Sequence, residues 1–131
     1  MSGNRFYMKL VALLVAVFFA GETWAEPITS GKDIFAENCA VCHGTDGKGR
    51  GVFSSMLRMP PPDLTVLAKI NGGEFPEKFV KRALEGINMP GAHGTREMPI
   101  WGARWRSAGE GSAGSMARVI AVTAYLETIQ E

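Results

Sequence analysis

No segment of the 131-residue chain alternates apolar and polar residues cleanly enough to read as a β-strand, so a sheet protein is not expected. There is almost no net charge: 14 Lys and Arg stand against 13 Asp and Glu. That balance disfavours bulk nucleic-acid binding, which needs a basic face. Internal repeats are absent, and the one biased tract is a short Gly/Ser/Ala stretch near 107–115. The segment GTDGKGRG follows no strand and leads to no Lys-Ser/Thr pair, which excludes a phosphate loop. Its lone acid, Asp46, excludes an EF-hand calcium loop. The apolar run from Leu10 to Ala20 falls well short of the roughly 20 residues that a bilayer crossing needs.

That run has a better reading. Arg5 and Lys9 precede or open it, and Thr23-Trp24-Ala25 follows with a small residue before a cut. This is the layout of a secretory signal peptide cleaved after Ala25, with a retained anchor as the alternative. The expected organisation is a leader over 1–25 and one small domain over 26–131. Without Arg5, Lys9 and Glu22 the remaining charges cancel. No stable membrane span is expected after cleavage. A domain of this size buries barely enough surface to be stable, so a large apolar cofactor would help it.

The domain reads as all-α. Ser30 caps a helix over 31–42, with Asp33 in its first turn. HGTDGKGRG is loop, and PPPDLT at 60–65 is extended, because proline fixes φ and donates no N–H. Asp63 caps a short helix over 64–70. Pro76 opens another, PEKFVKRALEG, with Phe79, Val80, Ala83 and Leu84 on one side and Gly86 at its stop. Residues 86–114 read as loop. SMARVIAVTAYLETIQ closes the chain as a helix. Val119, Val122, Leu126 and Ile129 form its apolar stripe, with Met116, Ile120 and Tyr125 beside it. Loops this long need something inside to organise them.

Both cysteines and one of the two histidines fall in CAVCHGTDG, residues 39–47. A C-x-x-C pair serves as a redox dithiol, as half of a zinc site, or as an attachment point for haem. A thioredoxin-like dithiol sits at a helix N-terminus after a strand; this pair sits at a helix end, after no strand. Zinc needs about four ligands. Cys39, Cys42, His43 and His93 would supply them, but His43 directly follows Cys42, which makes joint coordination of one ion awkward. The haem reading uses every residue of the pentapeptide. C-x-x-C-H is the attachment signature of c-type haem: Cys39 and Cys42 for two thioethers, His43 for the iron. Export fits, because this attachment takes place outside the bacterial cytoplasm.

The chain resembles the small class I, monohaem cytochromes c of bacteria. The likeness rests on GKDIFAENCAVCHGTDGKGRG, PPPDLT, EMPIWG and a final helix containing AYL, in that order, and it covers nearly all of 26–131. It implies a cytochrome c fold of about four to five short helices, with long loops wrapped around one covalent haem c. It implies that the first helix crosses the last, with Gly31 and Phe35 near Tyr125. It also implies that one proline carbonyl, from Pro60, Pro61 or Pro62, orients His43.

The sixth iron ligand has five candidates: Met56, Met59, Met89, Met98 and His93. Met56 and Met59 follow His43 too closely to cross to the far face. The family carries its ligand in a Met-Pro step, which leaves Met89-Pro90 and Met98-Pro99. Met98 lies in MPIWG, the segment that resembles the family's ligand loop, and it is the expected ligand. Trp101 either touches the haem or fills the core. Arg58, Arg96, Arg104 and Arg106 are candidates for propionate pairing or for a docking rim. The GTDGKGRG glycines are expected to let backbone pass close to the porphyrin edge.

The expected function is a monomeric, periplasmic one-electron carrier, not an enzyme, exchanging electrons with larger redox proteins. His43/Met98 ligation suits electron transfer and leaves no open position for a substrate. Two alternatives stand beside it. One is a haem subunit bound to a periplasmic dehydrogenase, with GARWRSAGEGSAGS at 102–115 as the contact. The other is a ligand-binding or peroxide-reacting haem protein.

Overall fold

The computed structural model describes residues 30–87 and 98–131. Met89, Pro90, His93, Arg96 and the leader therefore lie outside the described residues. Every regular element among the described residues is helical, as expected for an all-α chain. None of these helices is long and apolar enough to cross a membrane.

Helix α1 (Gly31–Asn38) starts where the Ser30 hydroxyl accepts the Asp33 backbone N–H at 3.2 Å and donates to the Asp33 carboxylate at 2.5 Å. One donor left over at the helix start is thereby satisfied, and a negative charge sits at the positive end of the dipole. After Cys39 the chain continues as α2 (Ala40–His43), so the helix predicted over 31–42 is two segments joined at the first cysteine. A 3-10 turn follows at Ser54–Met56, and another at Leu64–Val66 leads into α3 (Leu67–Ile70). Asp63 caps that second turn, accepting the Thr65 backbone N–H at 2.8 Å. Helix α4 (Glu77–Glu85) begins after Pro76 and stops at Gly86, whose φ is 70°.

The reading of 86–114 as loop is corrected. Helix α5 (Trp101–Trp105) lies inside that stretch, and α6 spans Gly111–Thr128 rather than starting at Ser115. A π-type turn at Arg106–Glu110 joins them, kinked at Gly109 (φ 98°). Specific bonds tie this region down. The buried Ser115 hydroxyl donates to the Gly102 carbonyl at 2.9 Å, and Arg118 Nε donates to the Glu110 carboxylate at 2.7 Å. Trp101 and Trp105 stack with ring centroids 5.7 Å apart.

Helix α1 crosses α6 in the expected place. A Cβ on Gly31 would meet the Ala121 carbonyl oxygen, and the Phe35 and Tyr125 rings lie 5.3 Å apart between centroids. The core is Ile34 and Phe35 of α1, Val80 and Leu84 of α4, Trp105 of α5, and Val119, Val122 and Leu126 of α6. Each such side chain contributes about 1.5–3 kcal/mol by leaving water. Met116 and Ile120, beside the α6 stripe, are exposed.

The C-terminal residues clasp the proline segment. The Gln130 side-chain amide donates to the Leu64 carbonyl at 2.8 Å and accepts the Ala68 N–H at 2.9 Å, while the Glu131 N–H donates to the Thr65 carbonyl at 2.8 Å. These bonds fix residues 64–68 against the end of α6.

Candidate haem site

Helix α2 ends at His43, and its last carbonyls need partners. The following loop supplies them by folding back. Gly49 N–H donates to His43 O at 2.7 Å, Gly51 N–H to Cys42 O at 3.0 Å, and Phe53 N–H to Val41 O at 3.0 Å. Gly49 holds φ 78°, and a Cβ there would stand 2.2 Å from the Pro61 carbonyl oxygen. This glycine therefore brings the loop against the proline segment. Asp46 shapes the turn, its carboxylate accepting the Lys48 N–H at 3.0 Å. That bond, first of its favourable contacts, holds the Asp46 carboxyl below its ordinary range.

The same packing orients the imidazole. His43 is buried, and its Nδ1 lies 3.3 Å from the Pro62 carbonyl oxygen. A carbonyl oxygen only accepts, so in this contact Nδ1 carries the hydrogen and donates. Nε2 is left with its lone pair, the arrangement that a metal-binding histidine requires. Of the three prolines, Pro62 makes this contact.

Cys39, Cys42 and His43 line one wall of a cavity of about 530 Å³. Phe35, Val80, Leu84, Val122 and Leu126 of the core supply its depth, and Met98, Pro99 and Trp101 reach it from the other stretch of described chain. Met98 packs against the core cluster, whereas Met59, which also touches the cavity, is largely exposed, and Met56 is exposed without reaching it. Trp101 thus both lines the cavity and stacks on Trp105. Among the arginines considered, Arg104 lines the cavity and Arg106 pairs with Glu85 at 2.8 Å.

These residues fit a haem. The cavity has the size of a cofactor pocket and is mostly apolar. Its donors include two sulfhydryls, one imidazole and two thioethers, the nitrogen and sulfur set that haem proteins use, and no carboxylate of the described residues lines it. Zinc fits poorly: among the described residues no three His, Cys, Asp or Glu side chains converge as a metal site. Burial, with Cys42 close by, pushes the Cys39 thiol up to about 12. A thioredoxin-like pair needs a preceding strand, and the described residues contain none.

Fold and pocket together define an all-helical haem protein. The sequence model of cytochrome c matches residues 28–130, and the chain belongs to the cytochrome c family. It is a c-type cytochrome, an electron-transfer protein whose cofactor is haem c. It is similar to the CcoP subunit of a cbb3-type cytochrome c oxidase from Rhodobacter capsulatus: 34% identical over 101 residues, covering 77% of this chain and 29% of that protein. The same subunit from a defined strain of Rhodobacter capsulatus is 31% identical over 101 residues, with the same coverage of 77% and 29%. The chain thus spans less than a third of the length of the curated relatives it matches. No solved structure gives a significant match.

Sequence reasoning missed two features. Trp105 is the buried aromatic behind Trp101, and its i, i+4 spacing from Trp101 was the available signal. Phe53, which lines the cavity from the loop after His43, carried no signal, because nothing in a glycine-rich loop sets which side chains face inward.

Proposed function

We propose that this protein is a periplasmic one-electron carrier that holds a single haem covalently through Cys39 and Cys42, with His43 and Met98 as axial ligands. The observation that carries this reading is the convergence of those four side chains on one apolar cavity. Bound haem supplies a reversible ferric/ferrous couple. The chain's own groups do the rest. Cys39 and Cys42 sit three residues apart at a helix end and tether the group. Donation from His43 Nδ1 to the Pro62 carbonyl fixes the ring and raises the basicity of Nε2. The Met98 thioether fills the remaining position, so no substrate site is left and the protein is not an enzyme. Phe35, Val122 and Leu126 exclude water from the pocket, which keeps reorganisation on electron transfer small.

Similarity to an oxidase subunit favours a second reading, in which the domain works as a fixed haem module inside a larger redox assembly rather than as a free monomer.

The test is the optical spectrum of the export-matured protein, with and without carbon monoxide. The carrier reading expects c-type bands, a weak far-red sulfur-to-iron band when oxidised, and no response to carbon monoxide. Ready binding of carbon monoxide with no far-red band would overturn His43/Met98 ligation. Co-elution of the native protein with an enzyme on size exclusion would replace the free carrier with the bound module.

A further inference from the structure

We propose that Arg104 grips a haem propionate at the mouth of the cavity, with Trp101 as the platform that aims it. This inference rests on the haem reading above and adds a residue to it. Among the described residues that line the cavity, Arg104 is the one permanently charged side chain. A guanidinium keeps its charge under all ordinary conditions, and its planar fork matches a carboxylate. Two neighbouring arginines are satisfied within the protein: Arg106 by Glu85 at 2.8 Å and Arg118 by Glu110 at 2.7 Å. Arg104 has no carboxylate partner among the described residues. Its Cζ instead lies 5.6 Å from the centroid of the Trp101 ring.

That stacking has a purpose for recognition. An arginine on a long stem loses rotamer freedom when it binds an anion, and a guanidinium already laid over an indole has lost part of it in advance. The planar fork then offers two parallel N–H groups, the geometry that a carboxylate accepts best. The occupant that the cavity fits carries two carboxylates and no other charged side group. Arg104 is exposed overall while touching the cavity, which is where a carboxylate keeping its charge in partial contact with water belongs.

The pairing has an electronic consequence. An unpaired propionate charge beside the iron favours the more positive ferric state. A guanidinium on that propionate cancels the charge and favours the ferrous state. The iron gains or loses its single electron without any bond being made or broken at Arg104.

The experiment compares holoprotein with Arg104→Gln and Arg104→Lys by spectroelectrochemical titration and by resonance Raman of the propionate-bending mode. Arg104→Gln is expected to lower the midpoint potential and to move the propionate band. Arg104→Lys is expected to restore most of the potential, because the charge returns, but not the band, because the fork does not. If Arg104→Gln retains c-type absorption with an unshifted band, the proposal falls, even if electron exchange with a partner protein has become less salt-dependent. That last result would make Arg104 a docking residue. If wild-type protein carries no c-type haem at all, the underlying functional reading fails, and the absorption spectrum separates that failure from this one.

Discussion

Gly31 lies so close to Ala121 that a Cβ on the glycine would stand 2.0 Å from the Ala121 carbonyl oxygen. The two helices that build the floor of the haem pocket therefore touch backbone to backbone. Gly31→Ala forces α1 and α6 apart, and overpacking of this kind costs about 1–3 kcal/mol. Guanidinium unfolding of the variant should show a lower midpoint with little change in slope. An unchanged midpoint would mean that the helices separate freely and that the crossing is not held by this contact.

Met98 and Met59 both reach the cavity, and only Met98 packs against the core. Met98→Ala should abolish the far-red band and open the iron to carbon monoxide, whereas Met59→Leu should do neither. The reversed result would move the axial ligand to Met59. Loss of the sulfur ligand also lowers the reduction potential, which is read in the same titration.

Covalent attachment predicts a mass that survives denaturation. The acid-unfolded wild-type protein should carry its haem into the mass spectrometer. The double variant Cys39→Ala, Cys42→Ala should release it, and each single variant should retain it through one thioether. Release of haem from the unfolded wild type would show that the cysteines serve another purpose.

Stability should fall in acid through Asp63. Its carboxylate accepts from the Thr65 hydroxyl at 2.6 Å and from the Thr65 N–H at 2.8 Å, and these bonds hold it below the ordinary carboxylate range. The folded form binds this proton less readily than the unfolded chain. The contribution is therefore complete above about pH 4 and is lost as pH falls through the depressed folded value. Asp46 and Glu77 are held low as well and act in the same direction. Asp63→Asn should make the acid limb of a stability–pH curve shallower, and Asp63→Ala should cost about 1 kcal/mol at neutral pH as a lost cap. An acid limb identical to wild type would exclude Asp63 as a contributor.

The parts of the site that are contiguous in the chain were legible from the sequence. CAVCH sets two thiols and an imidazole at the spacing of the haem signature, and Ser30, Asp63 and Gly86 mark helix ends by local bonding rules that operate within a few residues. What depended on tertiary contact was not legible. Three prolines in a row offer three equivalent carbonyls, and only the fold brings the one from Pro62 to His43. Helix α5 was taken for loop because five residues including a glycine show no period, and its stability comes from the Trp101–Trp105 stack and from the Ser115 bond to Gly102. The start of α6 was placed late for a related reason. Gly111 and Gly114 are poor helix formers, but anchoring between Arg118 and Glu110 outweighs that cost. Met116 and Ile120 were placed beside the apolar stripe, and both are exposed, because the buried face stops short of them.

The crossing of α1 and α6 also sets an order in time. The cysteines and His43 stand well before Val122 and Leu126 in the chain, and all five line the same cavity. Until α6 packs, the CAVCH segment lacks the wall that Val122 and Leu126 supply. Contacts between residues so far apart in sequence are slow to form because a long loop must first close. If haem is joined through Cys39 and Cys42, the joining should be easiest before α6 packs, while CAVCH is still accessible.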